Sequence, residues 1–229
     1  MNWTLDNLDL VADLTLNHVR LSVIPIVLAF VIAVPLGWVA NRNRTLRAIT
    51  ISAGSLLYTI PSLPLFVILP YILGTRVISE INLIVALLIY GVAVMVRSAA
   101  DALSSVDATT RQAATAMGYS PWSQFWTVEL PLAGPVLLAG LRVVSVSTIA
   151  LVSVGAIIGS RNLGYLFLNG RQRNNLEEIL VGIVASVLIA LVFDLILVLL
   201  GRLLLPWHTA AQGRKPVSRL RKLASRAAS

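Results

Sequence analysis

Five stretches of this sequence are apolar and almost free of charge, and they restrict the fold more than any other feature. They cover residues 21–40, 48–75, 81–98, 132–158 and 179–205. A helix needs about 17 to 25 such residues to cross the hydrocarbon core of a bilayer. Every backbone N–H and C=O must be paired within the membrane, which favours helices for long apolar segments. The sequence therefore predicts an all-α polytopic membrane protein with five core transmembrane helices.

The composition agrees with this class and excludes several others. Of the 229 residues, 57% are hydrophobic and only 12% are charged, and the mean hydropathy is +0.85. The chain has no cysteine, which excludes disulfides, thiolate metal sites and thiol redox chemistry. No cluster of acidic side chains indicates a metal site or a hydrolase. We expect no nucleic-acid partner, because no segment supplies a folded reading surface beside the basic tail.

Charges between the apolar stretches predict the orientation of the chain. Basic residues follow both the first and the last stretch, namely Arg42, Arg44 and Arg47 (the arginine turn) and the tail at 206–229. Such residues collect on the cytoplasmic side of a membrane. Five spans then place residues 1–17 outside the cell, and the C-terminus and residues 99–131 (the inner segment) in the cytoplasm. The membrane domain would cover residues 18–205.

Prolines interrupt the second apolar stretch, and a polar loop follows the fourth one. Pro61, Pro64 and Pro70 interrupt the second stretch, which predicts a span that ends near Leu69 and an irregular turn over residues 71–80. The loop at 159–178 falls on the outer side, with a short helix expected at 163–168. Its arginines fit the charge rule less well: Arg161, Arg171 and Arg173.

The inner segment carries two helix start signals and one stop signal. Asp107 is a good N-cap for a helix that ends at Gly118, and Ser120 followed by Pro121 predicts a second helix. The small side chains of Ala113 and Ala114 permit close approach to another surface. From this pattern alone, the segment is either a connector that packs on the membrane helices or a projection that docks into a groove on a soluble partner.

Twenty residues of the inner segment resemble a known motif. Gln112-Ala113-Ala114, the spaced Gly118 and the terminal Val128-Glu129-Leu130-Pro131 resemble the cytoplasmic coupling segment of bacterial ABC importer permeases. The family pattern usually begins with glutamate, so Gln112 keeps the hydrogen bonding but not the charge. The resemblance covers most of residues 15–205 and is strongest to the osmoprotectant branch, through Ile60-Pro61-Ser62-Leu63-Pro64-Leu65 and Ile158-Gly159-Ser160-Arg161-Asn162-Leu163-Gly164.

This resemblance implies a transport subunit rather than an enzyme. It implies import of glycine betaine, choline or carnitine across the bacterial inner membrane, with a second permease subunit (a copy or a paralogue) and an extracytoplasmic solute-binding protein. Cytoplasmic ATP-binding subunits would dock on the coupling residues Gln112, Ala113, Ala114, Gly118, Val128, Leu130 and Pro131. The chain has no G-x-x-x-x-G-K-[ST] phosphate loop for ATP. The resemblance therefore implies that the chain binds no cofactor of its own, with ATP and Mg²⁺ on the partner ATPase.

Several polar residues lie inside the predicted spans. Arg142 and Asp194 are each about 16 Å from the inner ends of their helices, so we expect the two side chains to meet. An intramembrane acid favours a functional site, and an ion pair with a structural role is the other interpretation. Hydroxyls along the fourth span line a pathway or serve helix packing: Ser145, Ser147 and Thr148. His18 is interpreted as a side chain at the membrane interface.

A different class of transporter is the alternative. A secondary transporter or channel acting without ATP would favour an inverted internal repeat and ion-coupling residues near the midplane. The sequence shows no such repeat, and Asp194 is its one ionisable candidate for ion coupling.

Overall fold

The computed structural model describes residues 2–207, and these residues are largely helical. The predicted basic tail lies almost entirely at 208–229, outside the described residues. The α-helices are α1 (Asn2–Asp6), α2 (Leu8–Ala40), α3 (Arg44–Thr59), α4 (Ser62–Leu73), α5 (Glu80–Ser104), α6 (Ala108–Ala116), α7 (Pro121–Gln124), α8 (Leu130–Val152), α9 (Gly164–Gln172) and α10 (Leu176–Leu204). A π-helical turn at Phe125–Glu129 precedes α8, and a 3-10 turn at Ser153–Ile158 follows it.

The number of membrane crossings depends on one bent pair of helices. Within the described residues, four helical units are long and apolar enough to cross a bilayer, namely α2, α5, Pro121–Ile158 and α10. Helices α3 and α4 together make a fifth crossing if the pair is counted as one span, and their axes differ by 100°. The prediction of five apolar spans is confirmed with this qualification.

The bend in the second span corrects the predicted boundaries. We expected one span to end near Leu69, but the break lies at Ile60, and α4 continues to Leu73. Pro61 restricts the residue before it to extended backbone, and Ile60 adopts φ −64° and ψ 126°. The hydroxyl of Tyr90 donates a hydrogen bond of 2.5 Å to the carbonyl oxygen of Ile60, which satisfies one backbone group that the break exposes.

The first span begins earlier than predicted. Helix α2 has 33 residues and starts at Leu8, so there is no break near residue 17 that separates an outer segment from the span. Asp9 lies in the first turn, where a negative charge is stabilised by the helix dipole. Asp13 is exposed and forms an ion pair of 2.9 Å with Arg161. This pairing gives Arg161 an acidic partner at the end of the molecule where the charge rule fitted poorly.

Close contact between α2 and α5 forms the centre of the bundle. A Cβ atom placed on Gly37 would lie 2.8 Å from the backbone nitrogen of Ala100. Farther along the same interface, a Cβ atom on Gly91 would lie 2.8 Å from the Cβ of Ala29. Small residues at these crossings let the two backbones approach, and van der Waals packing then stabilises the pair in a membrane.

His18 is buried, so its interpretation as an interfacial side chain was wrong. It is 0% exposed, and its Nε2 atom lies 3.0 Å from the carbonyl oxygen of Ile149. Its Nδ1 atom accepts a hydrogen bond of 3.4 Å from the N–H of Leu163, which makes Nε2 the donor to Ile149. The α-helical pattern of α8 ends at Val152, where the N–H of Ser153 turns to Leu151. The Ile149 carbonyl therefore lacks its usual partner, and His18 supplies one.

The two ends of the bundle are each held by polar contacts. At one end, Arg47 pairs with Asp101 at 2.6 Å, and the side-chain amide of Asn41 donates to the carbonyl of Ala100. At the other end, Arg20 pairs with Glu80 at 2.5 Å. The arginine turn and the inner segment consequently lie at the same end of the molecule.

Candidate functional site: the inner segment and an intramembrane ion pair

Helix α6 forms where the start and stop signals predicted it. It covers Ala108–Ala116, directly after Asp107, and Gly118 ends it with φ +87°, a left-handed conformation that glycine adopts without steric cost. The carboxylate of Asp107 does not cap the backbone and instead accepts a hydrogen bond from the Thr109 hydroxyl. That bond lowers the pKa of Asp107, which keeps a negative charge near the positive end of α6.

The second predicted helix is shorter than expected and continues into the membrane. Ser120 caps α7 by accepting a hydrogen bond of 3.3 Å from the N–H of Ser123. The chain then passes through the π-helical turn into α8 without interruption. Helix α5 extends to Ser104, so residues 99–104, assigned to the inner segment, belong to a membrane helix.

The predicted docking residues on and directly after α6 are exposed, with one exception. Gln112, Ala113 and Gly118 are exposed, as a docking surface requires. Ala114 is only 1% exposed and faces the interior of the protein. The remaining predicted coupling residues are half-buried in the π-helical turn and at the start of α8: Val128, Leu130 and Pro131.

Sequence reasoning missed two apolar side chains at the tip of this surface. Met117 is 71% exposed and Tyr119 is 39% exposed, on either side of the Gly118 turn. Met117 follows Ala113 by one helical turn, so it extends the face that Ala113 begins. We call Gln112, Ala113, Ala116, Met117, Gly118 and Tyr119 the α6 tip; all six are exposed.

An aromatic cluster connects the inner segment to the end of α2. The Trp38 ring lies 5.0 Å from that of Phe125 and 5.8 Å from that of Trp122, between ring centroids. Trp126 contacts both Phe125 and Trp122, and the Arg42 guanidinium carbon lies 4.5 Å from the Trp38 ring centroid. Sequence reasoning missed this cluster too, although the i, i+3, i+4 spacing of Trp122, Phe125 and Trp126 indicates a single helical face.

The predicted contact between Arg142 and Asp194 is confirmed. The Nε atom of Arg142 lies 2.5 Å from Oδ1 of Asp194, and Nη2 lies 2.8 Å from Oδ2. Two parallel hydrogen bonds match the planar guanidinium to the carboxylate, which is the strongest arrangement of this pair. The pair joins α8 to α10 and lies in an open groove that Ser147 also lines.

The other hydroxyls of the fourth span do not meet at this groove. Ser145 is buried and donates to the carbonyl of Leu141 in its own helix, and Thr148 is 3% exposed. These positions fit helix packing, while Ser147 stays a candidate for a pathway. Within residues 2–207, no group of three acidic or histidine side chains is close enough to hold a metal ion.

Comparison with known proteins gives the family. Residues 23–208 match the family model described as the binding-protein-dependent transport system inner membrane component. The chain belongs to this family. This inner membrane component is 33% identical over 199 residues to the osmoprotectant import permease protein OsmW of Salmonella typhimurium, an alignment that covers 86% of the chain and 93% of OsmW.

A second relative and a solved structure agree with this family assignment and with the fold, respectively. The inner membrane component is 31% identical over 193 residues to the choline transport system permease protein OpuBB of Bacillus subtilis, which covers 84% of the chain and 87% of OpuBB. Its fold resembles a chain of the MetNI methionine ABC transporter, solved in inward-facing conformations, with a TM-score of 0.76 at 21% identity. That match covers 87% of this chain and 98% of the MetNI chain. The inner membrane component is therefore a multi-pass membrane protein with the fold of an ABC transporter chain.

Proposed function

We propose that this chain is the permease subunit of an ATP-driven importer for compatible solutes such as glycine betaine, choline or carnitine. Its family membership and the printed names of its relatives OsmW and OpuBB support the transport role and the class of solute. The solute would be delivered by an extracytoplasmic binding protein, and a second permease subunit would complete the pathway.

The α6 tip is the observation that carries this proposal. It presents Met117 and Tyr119 to solvent at one end of a membrane bundle, on the same end as the arginine turn. We place this end in the cytoplasm, because arginine-rich turns collect there. An exposed helix end with small and apolar side chains fits a groove on a soluble ATP-binding subunit, and ATP and Mg²⁺ would bind to that subunit.

Two connections would carry movement of the α6 tip into the membrane. Helix α7 continues through the π-helical turn into α8, so a displacement of the inner segment acts directly on that span. The contacts of Trp122 and Phe125 with Trp38 act on the end of α2. ATP-driven closure of two ATPase subunits would thereby change the packing of α2 and α8 and alternate access to the solute.

Purification with the ATPase tests the proposal. The full chain is expressed with its ATP-binding subunit, and Ala113→Trp is compared with Ala53→Trp, a matched change at an exposed alanine of α3. A bulky ring at Ala113 would prevent close docking, and a loss of about 1.4 kcal/mol of binding free energy is tenfold in affinity. We therefore expect Ala113→Trp to reduce recovered ATPase at least about tenfold. Ala53→Trp should leave recovery unchanged.

Transport in proteoliposomes separates this function from the secondary-transporter alternative. We expect uptake of radiolabelled glycine betaine or choline only with ATP, the ATPase and the binding protein. Uptake by the chain alone, without ATP, would contradict the proposal. In the purification test, Ala114→Trp is less informative than Ala113→Trp, because Ala114 is buried and the change would disturb the inner segment itself.

A further inference from the structure

Two tyrosine rings meet where α3 breaks from α4. The ring centroids of Tyr58 and Tyr90 are 5.9 Å apart, and the ring planes meet at 88°. Tyr90 is buried, and its hydroxyl is fixed by the hydrogen bond to the carbonyl oxygen of Ile60. Tyr58 is 50% exposed. The buried ring of Tyr90 therefore holds the Tyr58 ring in position while half of the Tyr58 side chain stays open.

Both tyrosines lie far from the ends of their helices. At 1.5 Å per residue, Tyr58 is about 21 Å from the start of α3 at Arg44, and Tyr90 is about 15 Å from the start of α5 at Glu80. These two helices start at opposite ends of the bundle, so the rings meet inside the membrane. Anchoring at the membrane interface requires a position at the level of the lipid headgroups, and it does not explain an open tyrosine at this depth.

Hydroxyl groups continue the polar surface from Tyr58 along α3. Ser52, Ser55 and Thr59 are all exposed. At about 100° per residue they fall within about 60° of one another around the helix. We call these three residues the hydroxyl side of α3. The hydroxyls of Ser55 and Thr59 donate to carbonyl oxygens of their own helix, so these two side chains present oxygen lone pairs rather than hydrogens to their surroundings.

The other sides of α3 are apolar. One side packs on α5 through Gly54, where an added Cβ atom would lie 3.0 Å from the carbonyl oxygen of Ala93. A third side is exposed and carries only apolar residues: Leu46, Ile49, Ala53 and Leu56. Ala53 points about 160° away from Ser55. The apolar side suits lipid tails, whereas the hydroxyl side and Tyr58 suit a water-filled pathway.

We propose that Tyr58 and the hydroxyl side of α3 form a subsite for the quaternary ammonium group of the solute during its passage through the membrane. The class of ligand rests on the proposed function. A trimethylammonium group has no N–H to donate, so its charge is met by aromatic ring faces and by oxygen lone pairs that contact its methyl groups. The open Tyr58 ring and the oxygens of Ser55 and Thr59 provide both kinds of contact on one helix.

The absence of a carboxylate at this subsite suits transit. The sequence has no acidic residue between Asp13 and Glu80, so α3 and α4 offer no full negative charge to a cation. A ring contact binds a cation weakly compared with an ion pair. A position that a solute passes during transport has to release it again, and the tyrosine with its hydroxyl neighbours meets this requirement.

A single introduced thiol tests the subsite, because the chain contains no cysteine. Ser55→Cys places the thiol one helical turn from both Tyr58 and Thr59. Ala53→Cys is the matched control on the apolar side of the same turn. The full chain is reconstituted in nanodiscs with its ATP-binding subunit, without nucleotide, and treated with trimethylammonium-ethyl methanethiosulfonate. Intact-mass spectrometry of the permease measures the rate of modification. We expect Ser55→Cys to react at least about tenfold faster than Ala53→Cys, because the reactive thiolate forms poorly in apolar surroundings.

Protection by added ligand measures recognition of the charge. Choline in excess should slow the reaction of Ser55→Cys, whereas 3,3-dimethylbutan-1-ol, the neutral carbon isostere of choline, should not. Adding Tyr58→Leu should raise the choline concentration for half-protection about fivefold. Tyr58→Phe should leave that concentration unchanged, because phenylalanine keeps the ring. A tyrosine that only packs against its neighbours would give no difference between choline and the isostere.

Three results would overturn the subsite: equal protection by choline and its isostere, equal choline protection in Tyr58→Leu and Tyr58→Phe, or equal reaction rates of Ser55→Cys and Ala53→Cys. ATP-dependent choline uptake by the complex without substitutions is measured in parallel with the binding protein present. Uptake without charge-selective protection rejects the subsite and leaves the proposed function. Charge-selective protection without uptake rejects the proposed function and leaves the subsite.

Discussion

The Nε2 atom of His18 lies 3.0 Å from the carbonyl oxygen of Ile149, at the point where the backbone of α8 changes from α-helical to 3-10 geometry. The same imidazole accepts from the N–H of Leu163. One buried side chain therefore joins α2, α8 and the loop before α9, and it does so in a neutral form with one donor and one acceptor nitrogen.

Replacing His18 by leucine should destabilise the protein through unpaired backbone groups. Each buried group left without a partner costs about 1 to 3 kcal/mol, so a clearly lower melting temperature in detergent is expected. Ser22→Ala is the control, because the Ser22 hydroxyl only donates to a carbonyl of its own helix. An unchanged melting temperature for His18→Leu would show that these contacts do not stabilise the bundle.

Gly37→Ala should be harmful where Gly134→Ala is tolerated. The new Cβ atom at Gly37 meets backbone atoms of Ala99 and Ala100, and overpacking of this kind costs about 1 to 3 kcal/mol. The Cβ atom at Gly134 meets the side-chain end of Leu205, which can rotate away, while alanine favours the helix by about 1 kcal/mol. Thermal unfolding of both variants in one detergent measures the difference, and equal stability would contradict close packing of α2 on α5.

Asp194→Asn should be worse than the double change Arg142→Gln with Asp194→Asn. The single variant leaves an arginine cation within the membrane without its carboxylate, which is costly, whereas the double variant leaves two neutral groups able to hydrogen bond. We expect the single change to lower the yield of monodisperse protein several-fold, and the double change to restore most of it. Fluorescence-detected size-exclusion chromatography provides the measurement. Equal yields would mean that the two charges act independently.

Phe125→Ala should loosen the inner segment, while Trp126→Ala should have a smaller effect. Phe125 is 1% exposed and Trp126 is 49% exposed, and loss of a buried phenylalanine ring costs about 3 to 5 kcal/mol. The readout is the rate at which trypsin cleaves after Arg111 in α6 under native conditions. Faster cleavage in Phe125→Ala than in Trp126→Ala is expected, and the reverse order would contradict anchoring of the inner segment through Phe125.

Hydropathy and the start and stop signals of helices were sufficient to predict those features of the fold that depend only on neighbouring residues in the sequence. The apolar stretches, the α6 boundaries and the left-handed Gly118 follow from residue types and spacing alone. Even the contact between Arg142 and Asp194 could be predicted, because helices have a fixed rise and both residues lie at similar depths. The charge distribution also anticipated that the arginine turn and the inner segment share one end.

Features that depend on a distant partner could not be predicted in this way. The 100° bend between α3 and α4 follows Pro61, but it is held by Tyr90 of another helix. The burial of His18 depends on where α8 leaves α-helical geometry, which hydropathy does not report. The orientation of Ala114 depends on how α6 packs on the rest of the inner segment, so its small size alone did not distinguish a docking contact from an internal one.

The π-helical turn at Phe125–Glu129 joins the inner segment to α8 and affects how the surfaces on either side of it are aligned. Such a turn accommodates one residue more than an α-helical turn, and one residue corresponds to a rotation of about 100°. Relative to an uninterrupted α-helix of the same sequence, the turn therefore shifts the aromatic residues that meet Trp38 by about one position against the membrane surface that carries Arg142. Deleting a single residue here would let α-helical geometry run through the turn with both surfaces still facing as they do, so chain length rather than side-chain identity sets which residues reach each surface.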